Sequence, residues 1–371
     1  MNNPDVTVIG GGLVGGAIAY GLAKRGLKAL ILDEGDVALR ASRGNFGLVS
    51  VQGKGDGCPD YARWSQHSAR TWQGLADELQ EITGIDVAYE QTGLVIINLS
   101  EGEDAAHRAL MTRVQSAVGG DYELEFLDQR QLAERLPGLG DKVVSGCFTP
   151  EDGHVNPLLL LRALHAGYLA NGGEYRPDSQ VAEITPIGQA GFDVRTATDT
   201  VTTDRVVIAA GLGSGRLADQ VGIHAPLVAS HGQLLITERV APCLDMPTSL
   251  VRQTREGGLM LGYTADDLGY TTETCPDFMR DIAFRCRLAF PFIGDLRVVR
   301  TWSALRIMTP DGFPLYEQSA AHPGAYVAAC HSGVSLAAVH AMELPKWVAG
   351  APLPDNLTCF GSDRFDVQAT A

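Results

Sequence analysis

Residues 5–34 read DVTVIGGGLVGGAIAYGLAKRGLKALILDE. Asp5–Ile9 is a short apolar run ending in glycines, the pattern of a strand buried on both faces. Gly15–Lys24 has helical spacing, with Ile18, Ala19 and Leu22 on one face. Lys28–Leu32 is a second buried strand, closed by Asp33 and Glu34. One βαβ unit is thus complete. Its turn, Gly10-Gly11-Gly12-Leu13-Val14-Gly15, satisfies G-x-G-x-x-G where that pattern has meaning, after a strand and before a helix. Gly10 permits the tight turn, Gly12 lets the backbone approach a pyrophosphate, and Gly15 permits close helix–strand packing. The helix start offers free N–H groups and a positive dipole end to phosphates. Asp33 stands where an acid can accept hydrogen bonds from ribose hydroxyls and would repel a 2′-phosphate.

FAD and NAD share this fingerprint, so the rest of the chain must separate them. A second glycine-punctuated stretch, RASRGNFGLVS at 40–50, follows directly. Ser42, Arg43 and Asn45 can donate to phosphate or ring oxygens, and Gly44 and Gly47 allow close backbone approach. A third such point is Ala210-Gly211-Leu212-Gly213 after the strand Arg205–Ala210. A fourth is His331-Ser332-Gly333-Val334-Ser335, between a strand and the last helix. Four backbone approaches spread along the chain suit a long cofactor lying across a domain better than a mobile nicotinamide carrier.

The remaining elements are read more coarsely. Helices are expected at Asp60–Thr83, Glu101–Val118, Gln129–Arg135, Pro276–Phe290 and Val334–Val348. Asn156-Pro157 is a helix start, because Asn caps and Pro is tolerated at the first helical position. Strands are expected at Gly93–Leu99, Val181–Thr185, Phe192–Thr196, His231–Thr237, Leu250–Thr254, Leu259–Gly262, Arg297–Arg306 and Tyr326–Ala329. Parallel-type strands lie at both ends, with antiparallel-type strands between. The expected class is α/β (α+β overall), a Rossmann-like domain built from separated segments with an inserted antiparallel-sheet substrate domain. Residues 1–85, 141–225 and 300–371 fall to the first, 86–140 and 226–299 to the second.

Composition narrows the function. The 371 residues are 45% hydrophobic and 20% charged, which excludes a mainly disordered chain. The net charge of −15 repels phosphate backbones, so nucleic acid is not an expected partner. The seven cysteines form no C-x-x-C pair, which leaves zinc ribbons and iron–sulfur ligation without support, and no metal is expected. Neither a secretory signal nor an apolar run of membrane-spanning length is visible, so a cytoplasmic protein with no transmembrane segment is expected.

Several segments occur together in a telling order: GGGLVGGAIAYGLAKRGLKALILDEGD, DGHVNPLLLLRAL, RVVIAAGLGSGRLA, HGQLLIT and WSALRIMTPDGFPL. In this set the chain resembles the D-amino-acid-oxidase-like family of FAD-dependent amine and amino-acid oxidoreductases, which includes glycine oxidase and sarcosine oxidase. GNFGLVS and the lack of cysteine clusters look most like the catalytic β subunits of heteromeric opine oxidases and D-hydroxyproline dehydrogenases. The resemblance implies FAD at Gly10, Gly12, Leu13, Val14 and Gly15, with Asp33 and Glu34 at the adenosine ribose. It implies that Ser42, Arg43, Asn45, Phe46, Gly47 and Leu48 run along the pyrophosphate toward the isoalloxazine. Val181 would contact adenine through its backbone, and Ala210 and Gly211 would lie beside the ADP. Ser332, Gly333, Val334, Ser335 and Leu336 would bring a helix start toward the flavin pyrimidine.

On the substrate side, Arg306 matches the arginine that grips the substrate carboxylate. A guanidinium suits bidentate carboxylate binding and can aim Cα–H at the flavin. Arg300 and Arg252 are weaker substitutes. His231, His331 and Tyr263 fall near places where the family lines its active site. Adjacent residues on a strand face opposite ways, so Cys330 and His331 are not expected to act as a nucleophilic dyad. No cysteine lies between Cys286 and Cys330, so FAD is expected to be non-covalent. The implied reaction is oxidation of a C–N bond beside a carboxylate in an amino or imino acid. Electrons would leave to further flavoprotein and iron–sulfur subunits. Three alternatives stay open: a stand-alone glycine, sarcosine or D-amino-acid oxidase using O₂, a 2-hydroxy-acid flavoenzyme, and a non-catalytic FAD-containing scaffold subunit.

Overall fold

The computed structural model describes residues 3–35, 41–188, 191–262 and 268–370. At its centre is a six-stranded sheet in the order Leu315–Gln318, Ala325–Ala329, Arg205–Ile208, Val6–Ile9, Ala29–Leu32, Glu174–Arg176. All neighbours are parallel except the first pair. The tetrads VTVI and ALIL are nearly inaccessible along their whole length, as is Val206–Ile208 of the third strand, because both sheet faces are covered. One face carries the helices Leu13–Lys24, Pro59–Thr83, Pro157–Ala170 and Ala337–Met342. The other is covered by the antiparallel ribbon Val181–Pro186, Phe192–Thr196, Thr200–Thr203, whose Val181, Ile184, Phe192 and Val194 join the core there.

A second body is antiparallel. The strands Val251–Gln253, Gly258–Gly262, Val228–Arg239 and Val298–Met308 form one sheet in that order, and Leu94–Asn98, Ser145–Thr149 and Glu125–Asp128 form another. Val95, Ile97 and Leu127 share a core with Leu235, Leu250, Leu261 and the helix Pro276–Ala289. The chain is thus a mixed α/β protein with one parallel sheet and separate antiparallel sheets.

Three expectations change. Ser145–Thr149 lies in the 141–225 segment assigned to the nucleotide domain, yet it hydrogen-bonds between Leu94–Asn98 and Glu125–Asp128. Val298–Met308 crosses the expected boundary at 300 and pairs along Val228–Arg239. Both pairings are non-local, and neither strand's own sequence names its partner. The final helix is two helices, Ala337–Met342 and Leu344–Val348, and Val334 lies outside both. Pro345 cannot donate to the Ala341 carbonyl, and its ring crowds that oxygen.

Candidate active site

The parallel strands Val6–Ile9, Ala29–Leu32, Arg205–Ile208 and Ala325–Ala329 end on one edge of the sheet, and a groove of about 470 Å³ lies along that edge. Such an edge is where open α/β sheets bind ligands. Gly10 has φ +102° and donates its N–H to Leu32 O at 2.8 Å. A Cβ on Gly15 would run into the Gly10 carbonyl oxygen, so only glycine lets the helix sit this close to the turn. No side chain caps the helix at Gly12, and Leu13 N–H donates to Ser42 Oγ at 2.9 Å. Asp33 is held by two backbone donors, Gly11 N at 2.6 Å and Gly35 N at 3.0 Å. At one end of the groove, Gln180 donates to Glu34 at 2.9 Å, and Arg216 donates to the carbonyls of Val181 and Ala182. At the other end the walls are Thr272, Leu305, Ile307 and Ala328–Cys330.

The antiparallel sheet meets this region face-on. Val228–Arg239 and Val298–Met308 pair with Ser230 opposite Arg306 and Gly232 opposite Ala304. Trp302, Ala304 and Arg306 therefore share a face. Trp302 Nε1 donates to Gly44 O at 3.1 Å, and a Cβ on Gly44 would strike Ala304, so this face looks at the segment 44–47. The Arg306 guanidinium lies across Gly232, where an added Cβ would sit 2.8 Å from its Cζ, and it donates to His231 O at 3.3 Å. The segment after Gly47 is tied to the loop at 332–335: Ser50 N donates to Ser335 Oγ at 3.0 Å, and Ser335 Oγ donates to Leu48 O at 3.3 Å. Gly333 packs over Leu13 and Val14 at the glycine turn.

Three charged or titratable groups complete the picture. His331 is exposed. Desolvation, then the charges of Lys54 and Arg306, hold its pKa below the ordinary histidine value. Asp152 is fully buried and accepts from Val51 N and Gln52 Nε2, bracing 50–52. Burial pushes its carboxyl up to about 7, against the backbone and side-chain hydrogen bonds and the Lys54 charge that lower it. Arg252 is buried and donates to Phe46 O, Met260 Sδ and His154 Nδ1, so it pins the chain just before Gly47. Among the described residues no group of three or more His, Cys, Asp or Glu side chains is placed to hold a metal ion.

The family model described as FAD dependent oxidoreductase (DAO) matches residues 5–347. The chain is 42% identical to an opine oxidase subunit of Agrobacterium tumefaciens (strain Ach5) over 369 residues, 99% of each protein. It is likewise 42% identical to the corresponding opine oxidase subunit of Rhizobium meliloti, again over 99% of each. The crystal structure of glycine oxidase from Geobacillus kaustophilus superposes with a TM-score of 0.90 at 23% identity, covering 98% of this chain and 99% of that one. The chain belongs to the DAO family of FAD-dependent oxidoreductases.

The residues present fit FAD. The groove is lined at Gly10–Leu13 and Ala209–Gly213, with Asp33 fixed in its wall by two backbone donors. Of the positions expected at the cofactor, Gly10, Gly12, Leu13, Val14, Asp33, Glu34, Ser42, Arg43, Val181, Ala210 and Gly211 line it. Gly15 lies behind the turn. Phe46, Gly47 and Leu48 belong instead to the layer under the antiparallel sheet, beside Ser332–Leu336.

Asn45 departs from expectation, because its amide nitrogen is spent on the carbonyls of Ala41 and Ser42. Its helix of four residues, Ala41–Gly44, leaves carbonyls that Asn satisfies locally. His231 also differs. It is fully buried, stands opposite Leu305 in register and donates Nε2–H to Glu273 O at 3.1 Å, on the strand face away from Arg306. Arg300 is exposed, and Tyr263 lies outside the described residues. Cys330 lines the groove as a buried thiol pushed up to about 12.

His165 and Tyr175 are wall residues that sequence reasoning missed. His165 Nε2–H donates to Gly11 O at 2.7 Å, and the two rings lie 4.9 Å apart. Nothing in their local pattern marks them. The packing of Pro157–Ala170 against the glycine turn brings His165 there, and the pairing of Glu174–Arg176 with Ala29–Leu32 brings Tyr175.

Proposed function

We propose that this flavoenzyme is the catalytic subunit of a heteromeric dehydrogenase or oxidase that oxidises the C–N bond of an amino or imino acid of the opine or D-hydroxyproline kind. The observation that carries this reading is the Arg306 guanidinium, laid over Gly232 on the sheet face that looks at the segment 44–47. Arg306 binds the substrate carboxylate through paired charge-assisted hydrogen bonds and fixes the neighbouring Cα. His331, kept neutral by burial and by the charges of Lys54 and Arg306, adds no further positive charge there, and the substrate's ammonium proton leaves to solvent. The loop at 332–335 is tied to Leu48 and Ser50, which holds the two segments together. Bound FAD, held in the groove at Gly10–Leu13 and Ala209–Gly213, would supply the two-electron acceptor for the oxidation.

Both opine oxidase relatives are named as subunits, and 42% identity over nearly the full length supports a multi-subunit assembly here. The cysteines, all unpaired, support a reducing, cytoplasmic setting. No helix among the described residues is long and apolar enough to cross a membrane.

The test is an anaerobic screen of the yellow holoprotein against opines, D-hydroxyproline, sarcosine, glycine and 2-hydroxy acids, read as bleaching of flavin absorbance. Bleaching by amino or imino acids is expected. Bleaching by 2-hydroxy acids alone, or by nothing, overturns the proposal. Gel filtration of the native protein tests the assembly, and an isolated active chain with vigorous H₂O₂ production would support the stand-alone oxidase instead.

A further inference from the structure

Two cysteines from opposite ends of the chain meet at the surface. Cys58 and Cys359 are 301 positions apart in sequence, and their sulfurs lie 4.0 Å apart. Cys58 is half-buried, immediately before the helix Pro59–Thr83, and its side chain makes no capping bond to that helix. Cys359 is exposed, in the short 3₁₀ turn Asp355–Phe360. Both are free thiols. Of the other five, Cys147, Cys286 and Cys330 are buried and Cys243 and Cys275 are half-buried. The residues around the pair hold it together. Phe360 is fully buried and packs edge-on against Tyr61 and Tyr316, with ring centres 6.2 and 5.9 Å away. The Tyr61 hydroxyl and the Lys54 ammonium both meet Ser332 Oγ, at 2.7 and 2.6 Å. Cys359 therefore rides beside an anchored ring, and Cys58 lies between two tied positions. The turn before Cys58 can still give: Gly57 has φ +77° and open space where a Cβ would sit. A side-chain rotation with a small shift there brings the sulfurs to the bond length of about 2.0 Å.

We propose that Cys58 and Cys359 form a redox modification site, a dithiol that closes to an intramolecular disulfide and staples the C-terminal segment to the start of the helix Pro59–Thr83. The oxidant is hydrogen peroxide. One sulfur, as thiolate, attacks a peroxide oxygen; the O–O bond breaks, hydroxide leaves and takes up a proton as water, and the sulfur becomes a sulfenic acid. The second sulfur then displaces that oxygen. The S–S bond forms, the S–O bond breaks, and the oxygen departs as water with the second thiol's proton. Two thiols have lost two electrons and two protons, and one peroxide has become two waters. Burial, then the neighbouring Cys58, raise the Cys359 thiol above the ordinary cysteine value, so Cys58 attacks and Cys359 resolves. The segment that gains the staple is otherwise held by the buried Leu357 and Phe360 and by polar ties from Ser362 N to Glu317 and from Arg364 to Asp311. Terminal segments with few ties fray first and are cut first. A disulfide closing so long a loop restricts the unfolded chain strongly. None of this depends on the substrate assigned above.

The experiment uses the FAD-loaded wild type, reduced with dithiothreitol, freed of it and then exposed to hydrogen peroxide. Digestion without reductant, followed by mass spectrometry, should show a peptide pair joined through Cys58 and Cys359 that separates on renewed reduction. On a denaturing gel without reductant the oxidised chain should keep the mass of a single chain. Oxidation should raise the melting temperature by several degrees and slow protease cleavage within the C-terminal segment, and dithiothreitol should reverse both. Cys58→Ser and Cys359→Ser should show neither change and should match the reduced wild type in melting temperature and flavin content. Wild type in which peroxide leaves these two cysteines as thiols, or carries them only to sulfinic and sulfonic acids, overturns the inference without recourse to any variant. A link between two chains also overturns it, as does a Cys58–Cys359 link that leaves the melting temperature unchanged. A rise in melting temperature that persists in both variants assigns the effect to other thiols and overturns it equally.

Discussion

The two ends of the site are built on different principles. The nucleotide groove is mostly main chain: the Gly10–Gly15 turn, the Ala209–Gly213 turn and an aspartate clamped by two backbone N–H groups. The proposed acid-binding end is mostly side chain. Arg306 is placed there by contacts to Gly232 and His231, far away in sequence. A main-chain cradle tolerates almost any residue that leaves the backbone in place and fails abruptly when a Cβ intrudes. A side-chain site fails one function at a time.

The largest effect should therefore come from the cradle. Gly15→Val drives a side chain into the Gly10 carbonyl, destabilises the protein by roughly 1–3 kcal/mol and gives protein without flavin, read from the ratio of 450 to 280 nm absorbance. A flavin-replete Gly15→Val protein would break the contrast. Arg306→Ala should instead keep its flavin. Two charge-assisted hydrogen bonds are worth about 1.5–3 kcal/mol each, and about 1.4 kcal/mol is a factor of ten. Loss of kcat/KM for amino acids by roughly 10²- to 10⁴-fold is expected, with normal absorbance at 450 nm.

Asp152, which braces 50–52, sharpens the comparison through pH. Its folded pKa, about 7, lies above its value near 4 in the unfolded chain. The group favours folding while both states are protonated, and that advantage is lost as pH rises from about 4 through about 7. Asp152→Asn should flatten the stability profile across that window and raise stability above pH 7 by up to about 4 kcal/mol, at about 1.4 kcal/mol per pKa unit. Melting temperatures at pH 5 and pH 8 check it, and a variant less stable than wild type at pH 8 contradicts it. His340 works in the opposite direction: burial lowers it to about 3, so its contribution is present above about 6.5 and lost as pH falls.

The smallest effect is expected at Cys330. Its thiol lines the groove but is held protonated by burial, and only a thiolate is a good nucleophile. Acid precipitation should release all flavin into the supernatant from wild type and Cys330→Ser alike. Flavin retained by the wild-type pellet and absent from the variant's would show a covalent tether.

The contrast between the two ends also explains what could be read in advance. The strand–turn–helix at the start of the chain was legible because its buried tetrads, glycine spacing and acid at the second strand's end are all local. The helix start at Asn156-Pro157 was legible for the same reason, with Asn156 Oδ1 accepting from Leu158 and Leu159. Asn45 and His231 were misjudged because a side chain's candidate chemistry says nothing about a nearer partner: the Ala41 and Ser42 carbonyls in one case, the Glu273 carbonyl in the other. Lys54, His165 and Tyr175 were invisible because no spacing rule links them to the residues they meet.

By itself the sequence determined the first strand–turn–helix–strand unit and its glycine turn, since both follow from backbone sterics and hydrophobic period within some thirty residues. Only the tertiary structure decided which strand carries Arg306 onto the face above segment 44–47, which loop receives Lys54, and which histidine keeps an open side. Those outcomes depend on pairing between strands and loops far apart in the chain, and strand pairing is set by the packing of whole sheets rather than by any short stretch of residues.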